Sequence, residues 1–155
     1  MRVFVLALAS LSLVGCATKY QEMGLTGGVA AQQITADTWR ILARGNAYTS
    51  GTRVQDFVLM KAAETTKAAG GTHFIIASSQ DATRNRTIVT PPSASTTYGG
   101  GYAVTTFNPG VVYNIVKPGQ TVYVRVLKIP PATPPPPGAI SADEIIQYVG
   151  PRLQS

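Results

Sequence analysis

Hydrophobic and polar positions along this chain follow two periods in turn, and the changes between them mark its elements. An apolar run from Val3 to Val14 comes first, behind the single cation Arg2. It is shorter than the ~20 residues that a membrane-crossing helix needs. Residues 16–33 hold Gly24, Gly27 and Gly28 among small and polar side chains, show neither period, and read as a flexible tether. Over 34–48 the period is two: Trp39, Ile41 and Ala43 alternate with Arg40, Leu42 and Arg44. This predicts a strand with one apolar face and one face carrying two arginines. Over 52–69 the period becomes helical. Val54, Val58, Leu59, Ala62, Ala63 and Ala69 share one arc, opposite Arg53, Asp56, Lys61, Glu64 and Lys67, with Phe57 and Met60 interrupting the polar side. Thr49 or Ser50 supplies the N-cap, and Gly70-Gly71 the left-handed end.

A short apolar strand follows over 72–79, then a strand over 84–90 that Pro91-Pro92 stops. Residues 91–118 are dominated by Gly, Ser, Thr, Tyr and Pro and read as a hairpin excursion or a disordered loop. Over 121–129, Val122, Val124 and Val126 alternate with Tyr123, Arg125 and Leu127, which predicts another strand. Residues 130–140 form a Pro-rich, extended linker. A capping box from Ser141 to Glu144 then opens a C-terminal helix over 141–155, with Ile145, Ile146 and Val149 as its apolar stripe and Gly150-Pro151 as its stop. The fold class is α/β (α+β): one small sheet of about four or five strands, one main helix packed on it, and a short C-terminal helix.

The N-terminal run gains meaning from what ends it. A basic start, a short apolar middle and a small residue at the cut are the order of a secretory signal. Leu13-Val14-Gly15 is followed directly by Cys16, and the four residues resemble a bacterial lipobox. The resemblance implies cleavage after residue 15, lipid on Cys16, and a tethered protein, since two or more acyl chains hold a membrane stably. Ala17 in place of Asp favours the outer membrane, periplasm-facing, over the inner membrane.

Composition narrows the chemistry. Cys16 is the sole cysteine and His73 the sole histidine, so an ordinary zinc or copper site is not expected, and the seven scattered carboxylates form no calcium loop. No cofactor site is read. The net charge of +6 comes from dispersed cations, which argues against nucleic acid and leaves anionic lipid or peptidoglycan as possible contacts. No Gly-x-Ser-x-Gly elbow is present, and Asp37 with Asp56 or Glu64 is the sole carboxylate pair worth naming for hydrolysis. The candidate contact surface is Tyr98, Tyr102 and Phe107 of the 91–118 segment, with Arg40 and Arg44 on the first strand.

Several blocks occur in order: Thr38-Trp39-Arg40, Ala43-Arg44-Gly45-Asn46, Tyr48-Thr49-Ser50, Arg53-Val54, Asp56-Phe57, Ala62-Ala63-Glu64, His73-Phe74, Lys117-Pro118-Gly119 and Asp143-Glu144-Ile145-Ile146. Together they resemble the small proteobacterial lipoproteins of Caulobacter-type genomes, a family without an established activity. Within the block, Gly45 and Asn46 are expected to turn the chain into the helix, with Asn46 bonding its own backbone, and Arg53 to pair with Asp56 near the helix start. The expectation is a membrane-anchored, non-enzymatic envelope binding or accessory module, held by lipid on Cys16 and contacting an envelope protein or peptidoglycan. The alternatives are an enzyme modifying envelope glycan or lipid, and a purely structural surface lipoprotein.

Overall fold

A computed structural model describes residues 16–154. The expected signal segment, 1–15, lies outside the described residues, as does residue 155. The elements are β1 (Gly28–Gln33), β2 (Thr38–Arg44), α1 (Gly51–Ala68), β3 (His73–Asp81), β4 (Arg84–Val89), β5 (Ser93–Gly99), β6 (Tyr102–Asn108), β7 (Val112–Lys117), β8 (Gly119–Leu127), β9 (Ile140–Ser141) and α2 (Ala142–Leu153). Five strands form one antiparallel sheet in the order β1-β2-β8-β3-β9. The mixed α/β fold with one long and one short helix is the one the sequence predicts. β2 and β3, joined through α1, are parallel neighbours at one remove, with β8 inserted between them. The connection is thus a split βαβ unit.

Alternation decides which face of the sheet is buried. Ile41, Ala43, Val122, Val124 and Phe74 are at most 1% exposed and lie under α1. Register brings them into rows: Val29 faces Ala43, Ile41 faces Val122, and Phe74 faces Val126. From α1 come Val54, Phe57, Val58, Ala62 and Ala63. Phe57 does not interrupt a polar face, as its place on the projection suggests; with Phe74 it is one of the two largest side chains of the core, fully buried. Thr65 and Thr66 also turn inward, and Thr66 Oγ1 donates to the Ala62 carbonyl at 2.8 Å, so its hydroxyl is satisfied within the helix. Ser50 caps α1 by accepting from the Arg53 amide at 3.1 Å, and Gly70, at φ 72°, ends it. α2 packs on α1 through Ala142, Val149 and Leu153. It continues through Pro151 rather than stopping there, because a proline in the last turn removes only one helical bond.

Two expectations about the connecting segments are corrected. The 16–33 segment is no free tether. β1 pairs along β2, Val29 is buried, and Thr18, also buried, donates its amide to Thr49 Oγ1 and its hydroxyl to the Thr26 carbonyl. Gly27 and Gly28 serve close approach instead of flexibility: both have positive φ, and a Cβ on them would lie 2.4 Å from the Arg44 carbonyl oxygen and 2.5 Å from that of Glu22. The 130–140 linker is not uniformly extended. The Thr133 and Ala139 amides close turns on Pro130 and Pro136, and the segment ends in β9 on the edge of β3. For 91–118 the structure shows the hairpin excursion, one of the two expected alternatives, and not a disordered loop.

Candidate functional site

Beyond the β3/β8 pair the chain continues outward as a two-stranded arm. β4 pairs with β7 from Arg84↔Lys117 to Val89↔Val112, and β5 pairs with β6 from Ser93↔Asn108 to Gly99↔Tyr102. At ~3.3 Å per residue the arm is about 50 Å long. Gly100 and Gly101, both at positive φ, turn its tip. At mid-arm Pro91, Pro92 and Pro109 interrupt the ladder, and Thr90 and Val111 clamp it through three bonds of 2.9–3.0 Å.

Every residue of β5 and β6 is exposed, and so is most of β4 and β7. No side chain from Thr87 through Val116 carries a charge. Yet Ile88, Val89, Val104, Val112, Tyr113 and Val116 all stand in solvent. A two-stranded ribbon also leaves one row of backbone donors and acceptors unpaired along each outer edge. Proteins ordinarily guard such edges with charge, short strands or covering elements. Between Thr87 and Val116 the mid-arm prolines are the only guard, and an isolated hairpin of this kind is marginal in water.

The three aromatic residues of the expected contact surface lie on this arm, 80% (Tyr98), 70% (Tyr102) and 67% (Phe107) exposed. They do not form one patch. Tyr98 faces Ala103 and Phe107 faces Ala94 on one side of the ribbon, whereas Tyr102 faces Gly99 on the other. Arg40 and Arg44 are elsewhere, on the sheet face away from α1. Arg40 donates to Gln32 Oε1 across the β1/β2 pair. Arg44 reaches the root of the arm, and its Nε is buried without a hydrogen-bond partner.

At that root lies a pocket of about 100 Å³ lined by Arg44, Arg84, Lys117, Asn46 and the 24–27 turn. Asn46 is the joint between pocket, helix start and Cys16. Its Oδ1 accepts from the Tyr48 amide and the Thr49 hydroxyl, its amide donates to Thr18 Oγ1, and its Nδ2 donates to the Cys16 carbonyl at 2.6 Å. The expected bond to its own backbone is therefore present, with more besides. Gly45 donates its amide to the Pro118 carbonyl at 2.8 Å, tying β2 to the returning arm. The expected Arg53–Asp56 pair is replaced. Asp56 is held by Arg152 of α2 at 2.7 Å, while Arg53 donates to the Thr18 carbonyl and lies over the Phe57 ring.

The carboxylates considered for hydrolysis are in structural use. Asp37 accepts from Arg125 at 2.7 Å and from Thr35 and Thr38, and these bonds, Arg125 first, hold its pKa down to about 2. Glu64 accepts from Tyr20 Oη at 2.7 Å; burial first, and this acidic partner second, push the Tyr20 phenol far above its ordinary value. A hollow of about 330 Å³ beside the start of α1 has Asp81 as its sole ionisable lining group, whose pKa is lowered by the Thr83 side chain first and the Thr83 amide second. His73 Nδ1 meets Thr72 Oγ1 at 3.0 Å. Among the described residues no three His, Cys, Asp or Glu side chains cluster as metal ligands, and no helix is long and apolar enough to cross a membrane.

Comparison with protein-family models, with curated proteins and with solved structures finds no match to the chain. Arg84 and Lys117 escape sequence reasoning because they are far apart along the chain and meet only through register. The uncharged stretch from Thr87 to Val116, bracketed by cations, is the signal that marks the arm.

Proposed function

We propose that the protein is a lipid-anchored, periplasm-facing envelope lipoprotein that works by binding rather than catalysis, with the arm as its binding element. The observation that carries this reading is the combination of exposed apolar side chains, open edges and absent charge from Thr87 to Val116. Strand addition to such an edge satisfies backbone groups that are otherwise left to water, and alternate side chains supply selectivity. The anchor reading rests on the lipobox-like residues, on the exposure of Cys16, and on the clamped 16–27 segment. That clamp holds the body within a few residues of the membrane instead of on a long leash. The resemblance to the Caulobacter-type lipoproteins belongs to the same reading.

The test has two parts. Intact mass of the membrane-purified chain is expected to show acylation at Cys16 and loss of residues 1–15. Cross-linking in living cells, followed by purification through a C-terminal tag, is expected to recover a stoichiometric envelope protein with the parent chain, and none when 93–108 is replaced by a two-glycine turn. Equal recovery from both chains would refute the arm as the binding element.

A further inference from the structure

We infer that the pocket at the root of the arm is an anion site for a phosphate group, placed to take the headgroup phosphate of an anionic membrane lipid. Three cations from three separate strands converge there: Arg44 from β2, Arg84 from β4 and Lys117 from β7. Arg84 and Lys117 are directly opposed across the β4/β7 ladder, and Arg86 stands on the same face two residues on. Like charges directly opposite one another destabilise a sheet. None of these cations has a carboxylate partner among the described residues, although Lys61, Lys67, Arg125 and Arg152 all do. Arg44 adds a buried Nε–H without an acceptor. A bound anion removes the repulsion.

The lining contains no carboxylate. Asp81, just before the lining residue Ala82, is turned to the Thr83 amide and lines the neighbouring hollow. The volume of about 100 Å³ suits one compact tetrahedral anion rather than a nucleotide or an oligosaccharide. Guanidinium groups present fixed forks to phosphate oxygens, and Lys117 adds a point charge.

Position selects the source. Asn46, which lines the pocket, bonds the carbonyl of Cys16, so the pocket lies beside the residue that carries the anchor in the proposed reading. Leu25, at the tip of the 24–27 turn on the same rim, is fully exposed. An apolar tip beside clustered cations is the pairing that settles into a headgroup layer. Docking there would fix the orientation of the body on the membrane, which attachment through the single residue Cys16 does not do. The inference rests on the anchor reading for its source alone; the anion site itself stands without it.

The test uses the chain from residue 16 onward with Cys16→Ser, since the described fold begins there and the acyl chains would mask weak binding. Sedimentation with vesicles of phosphatidylcholine, with and without phosphatidylglycerol, gives the affinity, and circular dichroism checks each variant's fold. Arg84→Ala and Lys117→Ala are each expected to weaken binding to the anionic vesicles about fivefold, and together about twenty-five-fold, from ~1 kcal/mol per cation at a membrane surface. Lys128→Ala removes the same charge at the other end of β8 and is expected to leave binding within about twofold. Equal losses from Lys128→Ala and Arg84→Ala would reduce the effect to net charge and overturn the site. So would unchanged binding by the double variant. Inorganic phosphate is titrated in parallel. Saturable phosphate binding lost in the double variant, without vesicle binding, would keep the anion site but assign free phosphate as its ligand and overturn the headgroup assignment. Neither result bears on partner recovery through 93–108, so the two proposals fail separately.

Discussion

Two phenylalanines separate what holds the body together from what projects from it. Phe57 is fully buried between α1 and the sheet. The Tyr20 ring meets it edge-on at 5.7 Å, and the Arg53 guanidinium lies 5.8 Å from its centroid. Phe57→Ala therefore removes a large transfer term, opens a cavity that a close-packed sheet cannot collapse, and ends an aromatic pair. The expected loss is about 3–5 kcal/mol, a large share of a typical total of about 5–15 kcal/mol. Phe107 sits two-thirds exposed opposite Ala94 on β5, with nothing beneath it. Phe107→Ala is expected to cost no more than about 0.5–1 kcal/mol, the scale of a cross-strand pair. Urea unfolding of the detergent-purified chain, followed through Trp39, provides the assay. Trp39 is the only tryptophan, half-buried against the core, and reports the body rather than the arm. A loss below about 1 kcal/mol for Phe57→Ala would refute the packing of α1 on the sheet. Equal losses for the two variants would refute the separation of arm from body.

Other outcomes follow from the same contacts. Thr18→Val removes the donor to the Thr26 carbonyl and one of the two acceptors of the Asn46 amide, Thr49 Oγ1 being the other, and is expected to cost about 1–3 kcal/mol for the two bonds together, and to expose the 16–27 segment to limited proteolysis; an unchanged cleavage pattern would mean that segment is not clamped. Gly28→Ala forces a Cβ to within 2.5 Å of the Glu22 carbonyl oxygen at a φ of 129°, and is expected to destabilise by roughly 1–3 kcal/mol, whereas a free tether would tolerate it. For Asp37, whose pKa is lowered from 3.8 to about 2, the stabilising contribution is present above pH 3.8 and lost as pH falls toward 2. Carbon NMR titration is expected to find the Asp37 carboxyl near 2 in the parent and closer to 3.8 in Arg125→Ala; an unmoved value would remove Arg125 as the main cause.

Where one face of an element is buried, the sequence reveals it. The Trp39, Ile41, Ala43 alternation and the Val122, Val124, Val126 alternation identify β2, β8 and their inward faces because the sheet rests on a helix. Ser50 and Gly70 mark both ends of α1 through local backbone chemistry alone. Phe57 is misjudged because a helical projection treats arc edges as polar, while a large aromatic there reaches over the rim into the core. β1 is missed because glycines that permit close backbone approach look the same in sequence as glycines that permit disorder. β5 and β6 bury nothing, so no hydrophobic period exists for them to show, and their Ser, Thr and Tyr residues leave a hairpin and a disordered loop equally open. The root pocket is a product of register: Arg44, Arg84 and Lys117 come from three strands and share no local motif.

The central claim, that the arm is the binding element, is tested most directly by photo-cross-linking in living cells from a light-activated residue at Val104, with one at Lys128 as reference. Val104 lies on the free-standing hairpin, and Lys128 lies at the end of the sheet away from the arm. Capture of a single defined envelope protein from position 104 and not from 128 is the expected result. Capture from 128 alone, or from neither position in cells that contain the chain at its normal level, would contradict it.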